Sequence, residues 1–129
     1  MKDNQIIHQI KYFNKEFVRY KKYQLENWQL SYCDRIFGRL GLTDRSGKSF
    51  LDIGCGGMAY LPIEAARLGH TAYGLDISDE AIIKAKQFAK DQKVEKKTHF
   101  SKGNAEKLPF DNYFFDAVSC IAVLEHLEN

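Results

Sequence analysis

A chain of 129 residues with 44% hydrophobic and 28% charged side chains is long enough to bury one core and too short for two ordinary domains. Nineteen Lys and Arg against seventeen Asp and Glu leave a net charge of +2, which excludes the one-sided charge that would make nucleic acid or an anionic membrane the default partner. The longest apolar stretches, such as residues 117–124 with Ser119 among them, fall short of the roughly 20 residues a spanning helix needs, and the opening Met1-Lys2-Asp3-Asn4-Gln5 leads into no apolar signal core; the reading is a cytoplasmic protein.

In chain order, Ile6, Ile10, Phe13, Phe17 and Tyr20 keep to one helical stripe, which predicts a first helix. Leu25, Trp28, Tyr32 and Ile36 repeat the spacing, and Gly38 and Gly41 offer stop signals for a second. This third of the chain holds eight of the seventeen aromatic residues. Such stripes pack on a core beneath a solvated face, or form a cover over a site; residues 1–48 are expected as a helical cover and 49–129 as a second unit. After the polar turn at 43–47, the pattern predicts a strand at 49–53, a helix at 59–68 ended by Gly69, and a strand at 71–75. Ser78 then stands as an N-cap, followed by Asp79 and Glu80 in the first turn and by Ile82, Ala85, Phe88 and Ala89 facing inward. Strands are expected at 98–101 and 115–121, with a loop through Pro109 between them. Strand and helix alternate, so the fold class is α/β with a parallel sheet.

Cys33, Cys55 and Cys120 are odd in number and widely spaced, which predicts reduced thiols. His8, His70, His99 and His126 are equally scattered, so no metal site is expected.

The chemistry concentrates at Leu51-Asp52-Ile53-Gly54-Cys55-Gly56-Gly57-Met58-Ala59, where a strand makes a glycine turn into a helix. Glycine is required where the backbone takes positive φ and where a ligand approaches the main chain closely. Asp76 ends the next strand twenty residues beyond Gly56; an acid there can accept both ribose hydroxyls of a nucleoside, and a strand-end cap is its structural alternative. The turn also satisfies the loose dinucleotide fingerprint, so a nicotinamide-dependent oxidoreductase is one reading. Asp52, two positions before the first glycine, would repel a pyrophosphate and attract an ammonium, which favours a ligand bearing an amino acid. Asp116 is expected to be structural, at a strand start.

Four blocks in order, LDIGCGG at 51–57, GLDIS at 74–78, GNAEKLPF at 103–110 and FDAVSCIAVLEHL at 115–127, resemble those of class I S-adenosylmethionine-dependent methyltransferases of the small-molecule group. The resemblance covers residues 49–129 and implies a Rossmann-like fold with S-adenosylmethionine as cofactor. It implies that Asp52, Ile53, Gly54, Cys55 and Gly56 hold the methionine part, Asp76 the ribose, and Ile77 the adenine face. Asn104 and Ala105 stand where the family has Asp-Ala at the adenine amino group; an amide oxygen accepts the same bond without charge assistance. Glu106 and Ile121 complete the cofactor set. On the acceptor side it implies Phe13, Phe17, Tyr20 and His126; His126, ahead of Glu125, is a candidate for a catalytic role, and a structural histidine is the alternative.

Domains of that family continue with further strands, whereas this chain ends just after the fourth. The expectation is the N-terminal portion of a longer enzyme, a truncated gene product, or one half completed by a partner chain or second copy that covers the fourth-strand edge. The function expected is methyl transfer to a small-molecule acceptor, or the cofactor-binding portion of such an enzyme. The alternatives are a non-catalytic binding module and, third, an NAD-dependent oxidoreductase.

Overall fold

The computed structural model describes residues 2–17, 21–104, 110–111 and 114–121. Its elements are α1 (Lys2–Phe17), α2 (Asn27–Leu40), β1 (Ser49–Ile53), α3 (Tyr60–Arg67), β2 (Thr71–Asp76), α4 (Asp79–Asp91), β3 (Thr98–Lys102) and β4 (Ala117–Cys120). The strands form one parallel sheet in the order β3-β2-β1-β4, as the alternating pattern predicts.

Two consecutive crossovers, β1-α3-β2 and β2-α4-β3, step the same way across the sheet. Right-handed connections therefore lay α3 and α4 on the same face. Phe50, Ala72, Phe100 and Ala117 point into that face and share one core with Leu61, Ile63 and Ala65 of α3 and with Ile82, Ala85 and Phe88 of α4. Cys33 and Phe37 of α2 join it, and the Phe37 ring meets Phe50 edge-on with centroids 6.2 Å apart. Leu51, Ile53 and Leu75 point to the opposite face, where they pack with Tyr73, Phe110, Phe115 and Cys120.

The inward face of α2 departs from the predicted stripe. Trp28 is 59% exposed, and the buried positions are Cys33 and Phe37, flanked by Ile36 and Leu40. Leu25 precedes the helix, which starts at Asn27, so it cannot set the phase. Counting Cys33 as the small apolar residue it is when buried gives 33, 36, 37 and 40, a true one-face spacing. Gly41 does end the helix, at φ 70°, with the Leu42 amide donating back to the Phe37 carbonyl at 2.9 Å.

The fourth strand is shorter than predicted. Phe115, Asp116 and Ile121 lie outside the ladder, and Phe115 joins an aromatic cluster with Phe114, Tyr73 and Phe110. Asp116 has the structural role expected of it: its Oδ2 accepts from the Ser49 amide at 2.8 Å, tying the starts of β1 and β4 together. Those donors hold its carboxyl below the usual range.

Among the described residues, no helix is long and apolar enough to cross a membrane, and no three His, Cys, Asp or Glu side chains are grouped to hold a metal ion.

Candidate functional site

The strand order runs outward from β1 in both directions, to β2 on one side and β4 on the other. Parallel sheets open a crevice at such a reversal, beyond the carboxyl ends of the strands. The glycine turn, Asp76 and the end of β4 all lie there.

Gly54 and Gly56 take φ of 75° and 72°, the left-handed conformation their sequence positions predict. A third left-handed position falls on Ala59, at φ 48°, where the turn enters α3; that residue type costs about 1 kcal/mol there. The turn is bound to the neighbouring strand. The amides of Gly54 and Cys55 both donate to the Leu75 carbonyl, at 2.6 and 3.1 Å.

Asp76 completes that link. Its Oδ2 accepts from the Gly56 amide and its Oδ1 from the Ser78 amide, each at 2.9 Å. The strand-end cap is therefore real, and it leaves capacity, since an ionised carboxylate offers roughly four acceptor positions. Burial raises the Asp76 carboxyl above the ordinary carboxylate range, against the lowering effect of these amides.

Asp52 sits on the helix-covered face of β1 at 4% exposure. Ser119 of β4 donates its hydroxyl to Asp52 Oδ1 at 2.7 Å. Burial pushes the Asp52 carboxyl up to about 7, Ser119 opposes the shift, and the negative charge of Asp76 adds to it. Two carboxylates thus converge at the ends of adjacent strands, and the crevice favours a cationic or hydroxyl-rich ligand over a pyrophosphate. The buried Cys55 thiol is raised well above its ordinary range by burial and by both carboxylates, so it is a packing group and not a nucleophile.

Ile77 is half-buried directly after Asp76. The Gly103 amide donates to the Asp76 carbonyl at 2.9 Å, which brings the half-buried Asn104 to the same end of the sheet. Ile121 follows β4 and packs against the main core. Ile53, by contrast, points into the opposite face, so only its backbone borders the turn. Ala105, Glu106, Tyr20 and His126 lie outside the described residues, as do the side chains of Phe13 and Phe17.

Two contributors escaped the sequence reading. Ser119 carried a usable signal, being a polar residue at an inward position of an apolar strand. Asn14 carried none: α1 docks on the start of α4, where Asn14 Oδ1 accepts from the Ser78 hydroxyl and, at 3.3 Å, from the Glu80 amide. The predicted cover helix is thereby joined to the residue whose own amide binds Asp76.

The family described as a methyltransferase domain matches residues 51–129. A ubiquinone biosynthesis O-methyltransferase of Shewanella pealeana is 33% identical over 108 residues, covering 83% of this chain and 42% of the relative. Norajmaline N-methyltransferase of Rauvolfia serpentina is 35% identical over 82 residues, 64% of this chain and 28% of that one. The crystal structure of magnesium protoporphyrin IX methyltransferase from Synechocystis with bound SAH superposes with a TM-score of 0.73 at 25% identity, covering 95% of this chain and 61% of that one. The chain spans less than half the length of these two curated relatives.

Proposed function

This chain belongs to the methyltransferase domain family, and we propose that it binds S-adenosylmethionine at the β1–β2–β4 crevice for methyl transfer to a small-molecule acceptor. The observation that carries the reading is the convergence of the left-handed glycine turn with the carboxylates of Asp52 and Asp76 at the strand-order reversal. These groups fit the cofactor: one carboxylate for an ammonium, one for a ribose diol, and a main chain without Cβ atoms at its tightest points.

When bound, the cofactor would supply a sulfonium methyl group for transfer to a nucleophile of the acceptor. The chain's contribution is alignment and exclusion of water. Asp52 would attract the ammonium, and the turn through Gly56 would hold the methionine part. Asp76 would accept the ribose hydroxyls with the positions its amide bonds leave, Ile77 would pack on the adenine, and the Asn104 amide would accept from the adenine amino group. Ala105 is assigned to the adenine ring, and Glu106 and Ile121 to the cofactor set.

Phe13, Phe17, Tyr20 and His126 are assigned to the acceptor side, with α1 as part of the cover. A small-molecule acceptor is supported by relatives named for ubiquinone biosynthesis and norajmaline. Three free cysteines fit a reducing compartment such as the cytoplasm. Strand β4 pairs only with β1 among the described residues, and its other edge is assigned to a further strand of a longer domain or to a second chain or copy.

Calorimetric titration of the 129-residue chain with S-adenosylhomocysteine, with NADH as control and light scattering for oligomeric state, tests this. Saturable binding of the first and none of the second is expected. Asp76→Ala removes two bonds to a charged acceptor, so affinity falls about a hundredfold or more. A folded chain that takes up NADH and ignores S-adenosylhomocysteine would restore the oxidoreductase reading.

A further inference from the structure

We infer that Ser119 is a positioning residue for cofactor recognition: its hydroxyl, reaching across the β1–β4 ladder, holds the Asp52 carboxylate in the orientation that receives the ligand's ammonium group. The inference rests on the function proposed above and concerns the same site.

Asp52 and Ser119 are direct partners in the parallel register. They are 4% and 6% exposed, and 2.7 Å separates Oγ from Oδ1. The groups around Asp52 are Asp76 at the end of β2, Cys55 in the turn, Cys33 on α2 and Cys120 on β4, with Glu64 of α3 beyond Cys33. All are acidic or neutral, and among the described residues no cation acts on Asp52. A pair serving packing alone would be better apolar, because a buried carboxylate without a cation is costly. A carboxylate so placed beside the crevice can receive a cationic group, since one hydroxyl bond takes one acceptor position while leaving the rest. Ser119 touches the carboxylate and not the ligand, so its effect is confined to the part of the ligand that Asp52 reads.

The test compares two probes, S-adenosylhomocysteine and 5′-methylthioadenosine, which share the adenosine and differ in the amino-acid part. Ser119→Ala is expected to weaken the first about tenfold near pH 7 and the second less than twofold. The ratio of the two affinities cancels what Asp76 does to both, and in the wild type it rises with pH as Asp52 ionises. Ser119 favours the ionised form, so in the variant the midpoint of that rise moves to higher pH. Equal weakening of both probes, or an unmoved midpoint, overturns the inference. Should Ser119→Ala not fold, Ser119→Cys keeps the volume with a weaker donor; a smaller loss in the same direction supports the inference and an unchanged ratio overturns it. A wild type that binds neither probe removes the cofactor reading itself, whereas a wild type that distinguishes them beside an indifferent variant removes Ser119 alone.

Discussion

Asp52 and Asp76 show how burial at one crevice turns ordinary carboxyls into a matched pair. The Asp52 carboxyl titrates near 7 in the fold and near 4 in an unfolded chain. The folded state therefore holds more protons in that interval, and stability falls as pH rises from about 4 to about 7. Asp52→Asn keeps an acceptor for Ser119 and removes the charge. It is expected to be more stable than the wild type at pH 8, by up to about 4 kcal/mol, with the gap closing toward pH 4, and to lose affinity for S-adenosylhomocysteine. Urea unfolding at both pH values checks the first part, and equal stabilities at pH 8 would show that the buried charge is relieved elsewhere. The glycines were legible in the sequence because each acts through its own backbone, and Asp76 was legible as a strand-end acid, although its bond to the Gly56 amide spans 20 positions. Ser119 offered only its polarity in an apolar strand; its partner was not legible, because Asp52 is 67 positions away.

Among the elements, β2 carries a constraint that its sequence does not advertise. Gly74 is a poor strand residue, yet a Cβ there would stand 2.6 Å from the buried Phe100 ring and 2.9 Å from Cys55 Sγ. The close packing of β2 against β3 and against the turn needs that absence. Gly74→Ala is expected to cost about 1–3 kcal/mol, read as a lowered guanidinium midpoint; an unchanged midpoint would mean that Phe100 has room to shift. The phase of α2 makes a related point. Its hydrophobic spacing admits two stripes, and the core selects the one through Cys33 and Phe37 because those side chains face Phe50, leaving Trp28 to donate to Glu26 at 2.6 Å on the surface.

For the whole molecule, the site and the opposite end of the sheet are held by separate devices. His70 is fully buried, accepts from the Lys48 amide at 3.0 Å through Nδ1, and meets the Leu42 carbonyl at 2.8 Å through Nε2. It joins the end of α3 to the segment leading from α2 into β1. His70→Ala leaves two backbone groups without partners and opens a cavity, so a loss of about 2–4 kcal/mol is expected. Affinity for S-adenosylhomocysteine, measured on the folded fraction, should be unchanged; a parallel loss of affinity would show that the two ends are coupled. The parallel α/β class, the element order and the left-handed glycine turn were determined by the sequence alone, because periodicity, caps and glycine conformations are local properties. Only the tertiary structure decided that β4 lies beside β1 and gives Asp52 its serine, that α1 docks through Asn14 on the start of α4, and that Asp76 caps the turn it helps to build. Those contacts depend on which elements become neighbours, and that is settled by the burial of faces contributed from the whole chain.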